Sequence, residues 1–328
     1  MTKSASTSTP SLTRRMALAT GAGALAMPAL IGRATPVRAA APMLGVSAPT
    51  FRRVQLGSFE VTTLLDGTRP ADGPHPIFGE DQSAEAVQAL MAENKLPETR
   101  ALFYFTPTIV NTGSELVLFD AGLGGDAGSL VSQLDAAGYT PDQIDIVVIT
   151  HMHPDHIGGL MRDGAATFPN ARYVTGQVEY DFWSAEDRLS GPTERVATLV
   201  QSNVVPLADQ MTFLGDGDDV VSGITAVGAF GHTPGHMTFM IESDGQQILI
   251  WADTANHFVA SIQRPDWHVR FDMDKEAAAE TRKRLFDMAA TDAVAVIGYH
   301  MPFPAIGYIM RTADSWRWEP LSYQLSAG

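Results

Sequence analysis

THMHPDHIGG, residues 150–159, places three histidines and an aspartate within six consecutive positions, directly after the strand-like run IDIVVI at 144–149. His151 and His153 are two apart, and side chains at i and i+2 of an extended backbone point the same way, so both imidazoles can converge on one ion. Pro154 bends the chain after them and turns Asp155 and His156 toward a second ion close by. One short loop thus offers half the ligands of a two-metal site. A merely solvated polar loop would have to gather three of the chain's nine histidines by accident.

Three further runs end in a metal-binding side chain: GHTPGH (231–236) gives His236, LIWAD (249–253) gives Asp253, and VIGYH (296–300) gives His300. Strand ends on one edge of a sheet are where sites assemble. The expected arrangement is His151, His153 and His236 on one ion, with Asp155, His156 and His300 on the other. Asp253, with two carboxylate oxygens, bridges them. Each ion keeps an open position for a shared water, the pattern of a catalytic site rather than a structural one. His232 is expected to be aimed away by Pro234 and the turn, in a supporting role behind the ligands. His and carboxylate suit zinc, the first expectation, and also Fe, Mn or Co. With no cysteine in the chain there is no thiolate nucleophile, no disulfide and no Cys-type zinc site.

The 328 residues are 45% apolar, ample for a buried core, and carry a formal charge of −15. That charge argues against nucleic acid or an anionic membrane as the main partner, because phosphate binding is driven by Lys and Arg. A small-molecule substrate is the expected partner, and a homodimer the one further assembly entertained. Residues 1–41 read as a twin-arginine export signal: Arg14 and Arg15 precede a weakly apolar run too short and too rich in Gly and Ala for a stable membrane span. Small residues at Ala39 and Ala41 offer a cleavage site. Removal leaves 17 basic residues against 37 acidic ones, a net charge of −20. Residues 42–328 are then a single domain, periplasmic or secreted.

Along that domain RRVQLGSFEVTTLLDG predicts two strands around a Gly-Ser turn, and the segment Thr68–Glu98 a loop with one short helix. LFYFTPTIVNTGSELVLFDAG predicts a hairpin whose second strand ends at Asp120. A helix over Ser129–Ala137, a buried strand at Ile144–Ile149 and a strand at Arg172–Thr175 follow. Helices are expected around Val178–Trp183 and Thr193–Gln201, then the strands ITAVGAF, MTFMIES and QQILIWAD. The helix DKEAAAETRKRLFDMAA and the strand AVAVIGYH close the body. Two series of strands, each followed by helices, fit an α/β fold of two sheets packed between helices better than a doubly wound parallel sheet.

HMHPDH, GHTPGH, WAD and GYH, in this order, resemble the metallo-β-lactamase superfamily across nearly the whole chain after the signal. The resemblance implies an αββα sandwich of two mixed sheets with a dinuclear site at one edge. It carries ligand roles to His151, His153, Asp155, His156, His236, Asp253 and His300. Asp120 in FDAG matches the aspartate that steadies the histidine loop. LGSFEVTTLLDGT, AAGYTPDQID, HMHPDHIGGLM, FPNARY, EYDFW and FPAIGYI are similar to the methyl parathion hydrolase and lactonase group. The glycine loop AGLGGDAG, with Leu123, lacks the aromatic that the parathion hydrolase carries there. The resemblance places Trp183 of EYDFW in the substrate pocket. His257, four residues after Asp253, either lines that pocket or hydrogen-bonds outward.

Two divalent ions flanking one water lower its pKa toward ~7, so a hydroxide nucleophile exists without a serine or cysteine. A lactone or ester carbonyl is the expected target, with organophosphate triesters as secondary substrates. Asp253 or Asp155 could pass a proton to the leaving alkoxide. The rivals are another metallo-hydrolase of this fold, such as a β-lactamase, thioesterase or arylsulfatase, and a non-catalytic metal-binding module. Gly122, Gly124 and Ala127 formally fit a dinucleotide pattern, but Asp145 precedes its strand, where no ribose contact can form.

Overall fold

Runs of β-branched and aromatic residues set the strands, and the computed structural model, which describes residues 49–322, arranges most of them in two seven-stranded sheets. The segment read as an export signal lies outside the described residues. The chain enters through β1 (Phe51–Leu56) and β2 (Phe59–Leu64), which turn at Gly57. There φ is +56° and a Cβ would stand 2.3 Å from the Ser243 carbonyl oxygen, so only glycine fits. β3 (Gly67–Asp72), α1 (Ala84–Glu93) and β4 (Arg100–Phe105) follow, with the Ser83 hydroxyl capping α1. Next come β5 (Thr108–Asn111), β6 (Leu116–Phe119), α2 (Leu130–Ala136), β7 (Ile146–Ile149), α3 (Pro154–Ile157) and the short pair β8 (Met161–Arg162) and β9 (Ala165–Ala166). β10 (Arg172–Gly176), α4 (Gln177–Ser184), α5 (Glu194–Asn203) and β11 (Met211–Leu214) complete the first half.

The second half opens with β12 (Asp219–Val221), β13 (Ile224–Gly228), β14 (Met237–Ser243) and β15 (Gln246–Ala252). It continues with α6 (Ala260–Gln263), α7 (Lys275–Thr291), β16 (Ala295–Gly298), β17 (Ile306–Arg311) and β18 (Trp316–Pro320). The first sheet has the order β1-β2-β5-β6-β7-β10-β11 and the second runs in sequence from β12 to β18. Both are mixed: β6, β7, β10 and β11 are parallel to one another, as are β15 and β16.

The inner faces bury Val61, Val117, Phe119 and Val148 of the first sheet in one cluster with Ile224, Phe239, Ile241 and Ile250 of the second. Phe119 and Phe239 meet across it with ring centroids 5.3 Å apart. Each fully buried side chain of this kind contributes ~1.5–3 kcal/mol relative to exposure. α2, α4 and α5 pack on the outer face of the first sheet through Leu130, Leu134, Trp183, Ala197 and Val200. α7 covers the second through Leu285, Phe286 and Ala289. The result is the expected αββα layering.

Two local expectations are corrected. Thr68–Asp72, read as the start of a loop, belongs to β3, which pairs in full with β4, so LFYF forms a separate two-stranded sheet with β3 and not the first strand of the β5–β6 hairpin. Pro70 sits within β3, tolerated because β3 pairs on one side only. β17 and β18 were not expected as strands; they pair over ten residues and extend the second sheet. No helix among the described residues is long and apolar enough to cross a membrane.

Candidate metal centre

Every expected ligand follows the C-terminal end of β7, β15 or β16, or the end of β13, at one edge of the sandwich. The parallel strands of the first sheet end together there, and the loop after β7 is anchored from its neighbour. Asp120, just past β6 at φ +63°, accepts from Thr150 N (2.9 Å), Thr150 Oγ1 (2.9 Å) and His156 Nδ1 (2.8 Å). His153 is the extended residue just before α3, and Pro154 occupies the first helical position, where its missing N–H is harmless. The glycine loop seats against this turn: a Cβ on Gly159 would stand 2.1 Å from the Ala121 carbonyl oxygen. Tyr299 closes the other side, donating to the Asp155 carbonyl oxygen at 2.6 Å with its ring 3.9 Å from that of His156.

Two groups of donor atoms result, each within a 4.8 Å span: His151, His153, His232 and Asp253, and beside them Asp155, His156 and His300. His232 thus stands where His236 was expected. The reason lies in what each ring's other atoms hold. His236 Nδ1 donates to the Ala229 carbonyl (3.0 Å), and its Nε2 lone pair is already taken by the Asp253 backbone N–H at 3.1 Å. His232 Nδ1 donates instead to Asp272 Oδ1 (2.8 Å), which leaves the Nε2 lone pair facing His153 Nδ1 at 2.9 Å and Asp253 Oδ2 at 3.3 Å. His236 braces the bridge backbone, and His232 presents a donor atom. Asp272 is itself held by buried Arg282 at 2.7 Å, whose remaining N–H groups donate to the Thr254, Pro265 and Trp267 carbonyls.

The other rings are fixed in the same way. Thr150 Oγ1 gives its proton to Asp120, so it accepts from His151 Nδ1 (3.2 Å) and leaves His151 Nε2 a lone pair, 3.1 Å from His153 Nδ1. His300 Nδ1 donates to the Tyr104 carbonyl (2.8 Å), and its Nε2 faces Asp253 Oδ2 (3.1 Å) and Asp155 Oδ2 (3.4 Å). His156 Nε2 and Asp253 Oδ1, 3.2 Å apart, are buried without a hydrogen-bond partner among the described residues. Lone pairs crowded against lone pairs and carboxylates, with the outer nitrogens of His151, His156, His232 and His300 each tied to an oxygen, are what cations satisfy and protons alone do not. The residues fit two divalent ions, with Asp253 offering one oxygen to each group.

Burial, then the neighbouring His232, holds His153 down to about 3, so it stays neutral and able to bind metal. Burial lowers His151 as well. Burial would also lower His232 and His156, yet Asp253 and Asp272 carry His232 up to about 9, and Asp120 and Asp253 raise His156. Burial works against charge on Asp155, but His156 and His300 hold it down to about 2. The carboxylates therefore demand positive charge at this spot.

Behind both groups stands Glu179 of α4, fully buried, which sequence reading passed over. Oε1 accepts from Met152 N (2.9 Å) and Trp183 Nε1 (2.8 Å), and Oε2 from Thr233 Oγ1 (2.7 Å) and Gly235 N (2.9 Å). It ties the histidine loop to the GHTPGH turn. Trp183 is accordingly a core residue, 2% exposed and packed in the α2–α4–α5 cluster, with its ring 6.1 Å from His153; it forms no open pocket wall. Leu123 lies in the loop whose N–H donates to Asp66 Oδ2 at 2.7 Å and does not line the cavity described next.

That cavity, about 460 Å3, opens against the His300 ring and is mostly apolar, walled by Phe78, Leu96, Phe103, Phe258 and His257. His257 therefore lines a pocket, as one of its two readings held. Phe103 of β4 and Phe78 of the loop before α1 come from segments that carried no pocket expectation, and Phe258 follows His257 in the loop after β15. Phe103 meets His300 edge-on at 5.9 Å and stacks with Phe78 at 5.8 Å.

Residues 106–295 match the domain described as the metallo-beta-lactamase superfamily. The chain belongs to the metallo-β-lactamase superfamily. Among curated relatives, the N-acyl homoserine lactonase AttM of Azorhizobium caulinodans is 30% identical over 117 residues, 34% of this chain and 41% of that protein. The chain spans less than half of the length of the first lactonases it matches, 41% and 46%. Among solved structures, the hydrolase AbOPH of the β-lactamase superfamily is 28% identical with a TM-score of 0.77, covering 85% of this chain and 99% of that one. The dizinc quorum-quenching lactonase AidC, 24% identical with a TM-score of 0.76 over 83% and 98% of the two chains, shares the superfamily fold.

In this superfamily member the exchange of His232 and His236 is directly testable. His232→Ala is expected to lower zinc from about two to about one per chain by elemental analysis, while His236→Ala keeps both ions and loses stability. The reverse pattern would restore His236 as the ligand.

Proposed function

We propose that the protein is a dinuclear metal-dependent hydrolase of lactones or esters, with phosphotriesters as a slower, secondary class. The observation that carries this reading is the pair of donor groups sharing Asp253, with an apolar cavity opening directly against His300. Two divalent ions bound there supply a nucleophilic water at neutral pH and a Lewis acid for the carbonyl oxygen.

The chain's own residues do the rest. The cavity takes the substrate's apolar part and excludes water, while His300, anchored on Tyr104, fixes the position of the reacting end. Of the two candidate proton carriers, Asp253 has Oδ2 engaged by Asn256 Nδ2 (2.9 Å) and its side chain 4% exposed, whereas that of Asp155 is 20% exposed. Asp155, held ionised, is therefore the carboxylate that would first take a proton from the attacking water and then pass it to the leaving alkoxide. The lactonases among the relatives support the substrate class, and the Phe78–Phe103 wall supports an aryl triester as the second one.

The test is a panel of γ-lactones, aryl esters, a paraoxon-type triester and a cephalosporin, run on zinc-loaded protein before and after chelation. Lactone or ester turnover should exceed the others, fall to background when metal is removed, and return on adding Zn, Mn or Co. Turnover of the cephalosporin alone, or activity that survives complete chelation, would overturn the reading.

A further inference from the structure

The charge of the cavity beside His300 runs against that of the chain. The protein carries a formal charge of −15, yet no carboxylate lines this cavity, and Arg100 is the one Lys or Arg that does. Burial keeps His257 neutral, its pKa lowered to about 4, and His300 belongs to the metal centre. The other polar side chains of the lining are Asn256, whose Nδ2 is engaged by Asp253 Oδ2, and Tyr104, whose hydroxyl can donate or accept and so leaves the sign of the charge to Arg100.

β4 gives Arg100 its place. His300 Nδ1 donates to the Tyr104 carbonyl near one end of the strand, and Arg100 opens the other, about 13 Å away along four residues of extended chain. Arg100, Leu102 and Tyr104 alternate onto one face, together with Pro70 opposite Leu102, and all four line the cavity. Arg100 is exposed, so the charge stands at the outer rim and His300 at the inner end. Asp72 lies directly across from Arg100 in β3 and Glu98 two residues before it, but neither pairs with it. No hydrogen bond, ion pair or ring contact engages the guanidinium among the described residues. The ordinary use of an arginine opposite an aspartate, a cross-strand ion pair, is not made here.

We propose that Arg100 selects substrates whose apolar tail ends in a carboxylate, with the reacting carbonyl at His300 and the anion at the guanidinium. This deepens the hydrolase reading and rests on it for the reacting end. A guanidinium holds a carboxylate through two parallel N–H···O bonds, and the lining offers no like charge to oppose it. Between the two ends Leu96 and Phe103 take the methylenes. Hydrolysis adds water across the acyl–oxygen bond, so such an ester is converted to an alcohol and a dicarboxylate.

The test uses zinc-loaded full-length protein and two pairs of aryl esters: aryl sebacate with its methyl-capped counterpart, and the shorter aryl adipate with its own. Wild type should favour the free carboxylate of the sebacate pair by about 10-fold in kcat/KM, and the difference should lie in KM, because a remote anion is held alike in ground and transition states. The adipate pair, too short to reach the rim, should give a ratio near one. Arg100→Met, which keeps an apolar stem, should bring the sebacate ratio to about one, and Arg100→Glu should take it below one, both at near-native melting temperature. Calorimetric titration with sebacate and monomethyl sebacate, the acid products, should give the same order without turnover.

A wild-type sebacate ratio near one, an equal ratio for adipate, or a ratio retained by folded Arg100→Met would each overturn the proposal. The length dependence and the titration decide it even if both variants unfold. Absence of turnover of all four esters, with sebacate still bound more tightly than its monomethyl ester, would reject the hydrolase reading and keep the anion subsite.

Discussion

Asp253→Asn is expected to lower kcat/KM for the best lactone or ester by at least ~1,000-fold, ~4 kcal/mol of barrier, with little change in melting temperature. Asp253 Oδ1 faces His156 Nε2 at 3.2 Å, and Oδ2 faces His300 at 3.1 Å, His232 at 3.3 Å and His151 at 3.8 Å. One charged group thus reaches both sets of donors. The His300 and His156 rings hold this carboxyl well below the usual carboxylate range despite its burial. A carboxamide keeps the shape but removes the charge and replaces one oxygen by an NH2 that repels a cation. One group of donors then loses its shared oxygen, and the zinc count should fall to about one per chain. The fold need not suffer, because a buried carboxylate is costly to desolvate, and the backbone N–H that engages His236 is unchanged. Elemental analysis, thermal melting and steady-state rates on one preparation separate the effects. Two bound ions together with more than a tenth of wild-type activity would mean that Asp253 is not the bridge.

The parts of this centre that could be read from sequence are those set by short-range geometry. The i, i+2 spacing of His151 and His153, the bend at Pro154, and side chains at strand ends are local facts, and the structure brings those donors to one edge. The choice between His232 and His236 is not local. Both lie in one six-residue turn, and what decides between them is the carboxylate of Asp272, forty residues on, and the N–H of Asp253. Nothing in the spacing encodes either. Glu179 and Arg282 are charged residues on otherwise apolar helix faces, a signal that was present but reads equally as a solvated position until the packing is known. Trp183 misled for the same reason: three residues from Tyr180, it marks the buried face of α4 as readily as a pocket wall. β3 was obscured by Pro70 and by a 27-residue separation from β4, because pairing across that span leaves no periodic mark. With it went the Phe103 side of the cavity.

Glu179→Ala is expected to cost more than about 4 kcal/mol of folding stability, the largest single effect of any residue that would not touch a metal or substrate. Four buried donors converge on this carboxylate, from Met152, Trp183, Thr233 and Gly235. α4 lies so close to the GHTPGH turn that a Cβ on Gly235 would stand 2.1 Å from Glu179 N. Each donor left without a partner costs ~1–3 kcal/mol. Burial raises the Glu179 pKa, so its charge is itself carried at a cost; the need of the four donors for an acceptor is what makes removal expensive. Glu179→Gln should fall between, near 2 kcal/mol, because the amide oxygen still serves two donors while its NH2 opposes the Gly235 N–H. Thr233→Val, which deletes one donor, should cost only about 1 kcal/mol. Chemical denaturation of the zinc-loaded proteins gives the order, and a Glu179→Ala loss below 1 kcal/mol would refute it. The same bonds hold Met152, between two ligands, against the turn that presents His232. Zinc should therefore leave the Ala variant at a lower chelator concentration than wild type, in proportion to the stability lost.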